Sequence, residues 1–338
     1  MRFNEFKQIN EQTEDEKKKD RVIRTLNKKR ADDPIFDQAY SLIVGPQVGT
    51  RIETYLSNIG KEDPDVNVDV IAYLIKLIPT LGNSTEVKDF IGKWNDGYEF
   101  INFKELIPAK GMDSAKPLLS VIEEGIAEKL FMKLGTYKAG KSDAGPYEAA
   151  FAIMSKNITY ADDGAGGDLI IGGQKIEIKS GGSGGGGGRI YNDRRKIQQQ
   201  PITQALVGTE YENRTSISVL GASGQGKDFD WSKMKENDPE GFKALAAAVN
   251  KGWFDGNRPE IENAFGTPEF RLLWNRALFN DYAKAAGHNG VLIIGQTSYI
   301  YIISGDQLHN SVPQSAKGAV YYQNSRQDRE LGIQVKLA

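Results

Sequence analysis

The chain has 338 residues, 39% apolar and 26% charged, with a net charge of −2 and an isoelectric point near 5.9. That length suffices for two domains or one large one, and the balance is that of an ordinary globular protein, not of a protein that coats nucleic acid. Cysteine is absent and only His288 and His309 supply imidazole, which excludes disulfides, thiolate metal sites, iron–sulfur clusters and cysteine nucleophiles. Hydrolytic chemistry would fall to carboxylates and lysines, and carboxylate oxygens suit hard cations such as magnesium or manganese.

No apolar run reaches membrane-spanning length, and the opening Met1-Arg2-Phe3-Asn4-Glu5-Phe6 lacks a secretory stretch. A cytoplasmic protein without a membrane partner is therefore expected. Residues 17–30 carry eight basic residues and one acid, Asp20. This is either a basic arm for DNA or, as we favour, a solvated helix with Val22, Ile23 and Leu26 packed on one side. Helical spacing of apolar residues follows in Ile35–Val44, Ile52–Ile59 and Val68–Ile78. Asn83-Ser84 predicts a cap for a helix through Trp94. A longer helix is predicted from Lys116 to Leu134, with Leu118, Val121, Ile122, Ile126 and Leu130 inward. No catalytic motif lies here, and residues 1–135 read as a helical accessory domain.

After Gly140 the pattern changes, and residues 140–338 read as a second, α/β domain. Pro146 opens a short helix, Tyr147 to about Lys156. Two strands, about Asp168–Ile171 and Lys175–Lys179, flank the turn Gly172-Gly173. A glycine tract follows, then a polar helix around Lys196–Val207 and a strand over Thr215–Leu220. Helices are predicted for Pro239–Lys251 and Pro268–Ala286, and strands for Val291–Ile294, Tyr299–Ile303, Ala319–Gln323 and Ile333–Leu337. The segment Gly221-Ala222-Ser223-Gly224-Gln225-Gly226-Lys227 has the spacing of a phosphate-binding loop. Asp228 stands where such a loop needs Ser or Thr, so an ATPase site is not expected. Tyr299, Tyr301, Tyr321 and Tyr322 are read as half-buried sheet residues, and His288 and His309 as surface or loop residues.

The chemistry concentrates in Gly167-Asp168-Leu169-Ile170-Ile171-Gly172-Gly173-Gln174-Lys175-Ile176-Glu177-Ile178-Lys179. Alternation along the second strand sends Ile176 and Ile178 to a core and Lys175, Glu177 and Lys179 to the other face. Pairing across the turn brings Asp168 toward Glu177. Two such carboxylates tolerate each other when a divalent cation lies between them. A lysine two residues on can reach a metal-bound water or the phosphate under attack. The same residues also admit a plain amphipathic hairpin whose charged face pairs with its neighbours.

The run Asp168 … Glu177-Ile178-Lys179, after a helix bearing Glu148, resembles the PD-(D/E)XK nuclease superfamily over roughly residues 145–222. Gly167 replaces the proline of the family's name, a substitution common in the family, and Asp162 and Asp163 are alternatives for the first acid. The resemblance implies a restriction-endonuclease-like core, a mixed sheet flanked by helices, behind an N-terminal helical domain. It implies a Mg²⁺-dependent nuclease, with Mn²⁺ able to substitute, acting on DNA and leaving 5′-phosphates. Asp168, Glu177 and Glu148 would hold metal, and Lys179 would assist the water. Arg189, Arg194, Arg195, Lys196 and Gln198 are candidates for DNA contact. A homodimer fits the resemblance, and the style of the N-terminal residues favours a phage or bacterial setting. Two alternatives stay open: a non-catalytic phage structural or assembly protein, and a type II restriction endonuclease.

Overall fold

The computed structural model describes residues 14–43, 64–136, 146–155, 157–161, 167–180, 189–190, 199–210, 212, 225–226, 229–267, 269–295, 297–309, 320–324 and 333–337. Its helices are α1 (Glu14–Asp32), α2 (Pro34–Ile43), α3 (Pro64–Leu77), α4 (Ser84–Asn95), α5 (Phe103–Leu106), α6 (Ile126–Gly135), α7 (Pro146–Met154), α8 (Gln199–Leu206), α9 (Trp231–Asn237), α10 (Pro239–Phe254), α11 (Pro259–Ala264) and α12 (Phe270–Ala286). The strands are β1 (Lys116–Pro117), β2 (Ile158–Tyr160), β3 (Leu169–Ile171), β4 (Gln174–Ser180), β5 (Arg189–Ile190), β6 (Gln225–Gly226), β7 (Phe229–Asp230), β8 (Gly290–Ile294), β9 (Ser298–Ile302), β10 (Val320–Asn324) and β11 (Ile333–Leu337). Among the described residues no helix is long and apolar enough to cross a membrane.

The chain divides into two compact units, residues 1–101 with 122–160 and residues 102–121 with 161–338. The boundary expected at 135–140 does not coincide with this division. Residues 102–121 fall in the second unit, and α7, which carries Glu148, falls in the first.

The first unit is mainly helical. Val22 and Leu26 of α1 are buried with Phe36, Tyr40 and Ile43 of α2 and Leu74 and Ile75 of α3. The basic run of α1 thus has the packed face expected of a solvated helix. Its Arg30 pairs with Asp37 at 2.7 Å and lies 4.4 Å over the Tyr40 ring. Asn83 accepts from Thr85 N and Glu86 N, while the Glu86 side chain accepts from Asn83 N at 2.8 Å. This reciprocal cap satisfies donors that the first turn of α4 would otherwise leave open.

The single helix expected from Lys116 to Leu134 is not formed. Lys116–Pro117 is strand β1, Leu118–Val121 is a 3₁₀ turn, and α6 begins only at Ile126, after Gly125 at φ 98°. Tertiary partners take the backbone donors a continuous helix would need. Leu118 N donates to Thr297 O at 2.9 Å, and Glu123 N to Phe100 O at 2.9 Å. The five apolar residues expected inward are nevertheless all buried. Helical spacing identified the buried side chains there and not the backbone that carries them.

The second unit is α/β, built on a mixed sheet. Its strands lie in the order β1-β9-β8-β4-β3. Among these five described strands only β4 and β8 run parallel, with Glu177 opposite Val291 and Lys179 opposite Ile293. The other neighbours are antiparallel. Every residue of β8 and β9 is buried, as a sheet covered on both faces requires. The phenols of Tyr299 and Tyr301 are core groups, and burial pushes both up to about 12. Tyr299 donates to Glu105 O at 2.9 Å. A separate antiparallel sheet has the order β10-β11-β5, and β6 pairs with β7.

The crossover from β4 to β8 ends in α12, which Gly287 closes in the left-handed conformation at φ 71°. The chain then turns straight into β8. Asn289 clamps the start of the parallel pair, its N donating to Lys175 O at 2.7 Å and its Oδ1 accepting from Lys175 N at 2.8 Å.

Candidate functional site

The hairpin of β3 and β4 forms where the sequence places it. Gly172 and Gly173 have φ of 56° and 81°, the left-handed pair that a two-residue turn needs to match strand twist. The register pairs Leu169 with Ile176 and Ile171 with Gln174. Ile176 and Ile178 are buried as expected, but Glu177 between them is buried as well, so burial along β4 does not simply alternate.

Asp168 sits just before β3. Its N donates to Ile176 O at 2.9 Å, and its Oδ2 accepts from Ile178 N at 2.6 Å. The carboxylate is thereby held against β4, on which Glu177 lies. Burial first, and the Glu177 carboxylate second, push the Asp168 carboxyl above the usual range, against the opposing pull of Ile178 N–H and Lys179. Glu177 is only 9% exposed. Its Oε1 accepts from the Tyr282 hydroxyl at 2.8 Å and is ion-paired with Lys179. Asp168, Glu177 and Lys179 are thus brought together on one hairpin.

Gly167 makes this entry possible. Its φ is +78°, and a Cβ there would meet Ile176 N and O at 3.1 Å. Proline, locked near −65°, cannot adopt this conformation. The chain therefore enters the hairpin by a route closed to the Pro-Asp step of the superfamily's name. Gly167→Ala is expected to cost about 1–3 kcal/mol in chemical denaturation, from a strained φ and a crowded backbone. An unchanged midpoint would show that the entry is not constrained.

Glu148 lies half-buried in the first turn of α7. Arg189 belongs to β5, and its side chain lies outside the described residues, as do Arg194, Arg195, Lys196 and Gln198. Asp162, Asp163, the strand expected at Thr215–Leu220 and Gly221–Gly224 with Lys227 and Asp228 also lie outside them. Among the described residues no group of three or more His, Asp or Glu could hold a metal ion, so the donor set in view is the pair Asp168 and Glu177. That pair fits magnesium by donor chemistry: the ion keeps several waters and is commonly held by one or two carboxylates.

Two residues of this site were not singled out from sequence. Tyr282 is an interior residue of α12, and nothing around it in sequence sets it apart. His288, expected at the surface or in a loop, is 7% exposed. Neither of its ring nitrogens has a hydrogen-bond partner among the described residues. Its ring lies 5.0 Å from that of Tyr282. Burial lowers its pKa, with Glu177 raising it and Lys179 lowering it by smaller amounts. The available signal was Gly287: a helix cap with only His288 and Asn289 between it and an all-apolar strand leaves too few residues for an exposed loop.

No family model, no curated protein and no solved structure matches the chain.

Proposed function

We propose that this hairpin is the metal-binding centre of a magnesium-dependent deoxyribonuclease with a restriction-endonuclease-like core. One observation carries the reading: Asp168 and Glu177 are held side by side in a partly dry setting, at a cost visible in the raised Asp168 carboxyl, with Lys179 against Glu177. Two adjacent carboxylates in a partly dry setting repel each other, whereas a cation between them turns the repulsion into binding. A magnesium ion held there supplies an acidified water and positive charge toward the phosphate oxygens. Asp168 and Glu177 bind, each from a fixed backbone position. Lys179, two residues along the same strand face, orients the attacking water and offers its ammonium to the scissile phosphate. DNA as substrate rests on the resemblance of Asp168 … Glu177-Ile178-Lys179 to the nuclease superfamily and on the basic run Arg189, Arg194, Arg195 and Lys196.

A non-catalytic structural role has one observation in its favour: Lys179 and Tyr282 already neutralise and bond Glu177 within the chain, as in a structural ion pair. Supercoiled and linear DNA incubated with Mg²⁺, Mn²⁺ or chelator separate the two. Cutting with either ion, none with chelator, and 5′-phosphate ends are expected. Cleavage confined to one short sequence would identify a restriction enzyme. No cutting by folded protein, together with no divalent-cation binding by calorimetry, would sink the nuclease reading in favour of the structural one.

A further inference from the structure

Each acid of the pair has one oxygen bonded within the chain: Asp168 Oδ2 by Ile178 N–H, and Glu177 Oε1 by Tyr282 and Lys179. The two donors to Oε1 differ in kind. Lys179 is a flexible four-carbon stem with a compact charge at its end. Tyr282 is a rigid ring with two torsions, mounted inside a 17-residue helix. The buried His288 ring packs against it at 57° between planes, and Gly287 fixes where that histidine sits. The hydroxyl therefore reaches Glu177 from a braced position.

We infer that Tyr282 is a positioning residue of this metal centre, an inference that rests on the nuclease reading above. Its hydroxyl holds Oε1 and so restrains the carboxylate, whose other oxygen would be left to bind a divalent cation together with Asp168. When Lys179 turns to the substrate, Tyr282 keeps Glu177 in place. Partners that orient a metal ligand in this way contribute about 10–100-fold to metal affinity or activity.

The test is a Mn²⁺ titration of the full chain followed by electron paramagnetic resonance, with the Mg²⁺ dependence of DNA cutting in parallel. Wild type, Tyr282→Phe and Glu177→Gln are compared. Tyr282→Phe is expected to bind Mn²⁺ about 10–100-fold more weakly, with KM for DNA unchanged and Tm close to wild type. A merely structural hydroxyl would move Tm and leave the metal affinity alone. Wild-type Mn²⁺ affinity in Tyr282→Phe would overturn the inference and leave the nuclease reading standing. Absence of Mn²⁺ binding by wild type would overturn the nuclease reading and the inference with it. If Tyr282→Phe folds poorly, the ring-carbon resonance of Tyr282 in labelled wild type replaces it. That resonance should shift in step with Mg²⁺ saturation, and a fixed resonance counts against the inference.

Discussion

Asp168→Asn is expected to lose metal-dependent cleavage and, in the same molecule, to gain stability at neutral pH. Removing one charge-bearing group of a hydrolytic site costs roughly 10²–10⁴-fold in rate. The gain in stability follows from the raised Asp168 carboxyl, whose causes are burial and the neighbouring Glu177. Holding that anion costs the folded state fully at pH values above its raised pKa. As pH falls through the raised value toward the ordinary 3.8, the folded protein takes up the proton first and the cost fades. Asparagine carries no charge and can still accept from Ile178 N. Denaturation should therefore show Asp168→Asn more stable than wild type by about 1 kcal/mol at neutral pH, the scale of single relieving substitutions. The two should converge in acid. A variant less stable at neutral pH would mean that the carboxylate serves chiefly to anchor β4.

Ile293→Ala should give the largest loss of stability. Ile293 is fully buried in β8, opposite Lys179 on β4 and Ile300 on β9. Deleting that side chain from a packed interior removes transfer energy and leaves a cavity, together about 2–5 kcal/mol. Urea unfolding should show a lower midpoint with an unchanged slope. A loss under about 1 kcal/mol would mean that the sheet is loosely covered on that face.

Local rules made much of this fold readable. Two adjacent glycines between alternating apolar runs marked the hairpin, Asn83 marked a helix start, and the compact apolar runs at 291–294 and 299–303 marked paired strands. Asp168, Glu177 and Lys179 were legible for the same reason, since strand periodicity and one tight turn suffice to bring them together. What stayed hidden depends on distant partners. The stretch 116–134 has helical spacing, yet Leu118 N bonds to Thr297, far along the chain, and Glu123 N to Phe100, outside the stretch. Tyr282 reaches Glu177 across 105 residues, and no local pattern encodes that meeting. The need for glycine at 167 likewise shows only in the structure, where a Cβ would crowd the Ile176 backbone.

The parallel joint of β4 and β8 also governs the order of events during synthesis. Lys175 and its clamp Asn289 are 114 residues apart. On the ribosome the hairpin therefore emerges well before the strand that completes it. Until β8 arrives, β4 is an open edge carrying Ile176 and Ile178, the type of strand that pairs with the wrong chain. Lys175 and Lys179 flank those isoleucines, and charge on an edge strand is what discourages such pairing. Lys179, proposed for chemistry in the finished protein, thus doubles as a gatekeeper of the nascent one.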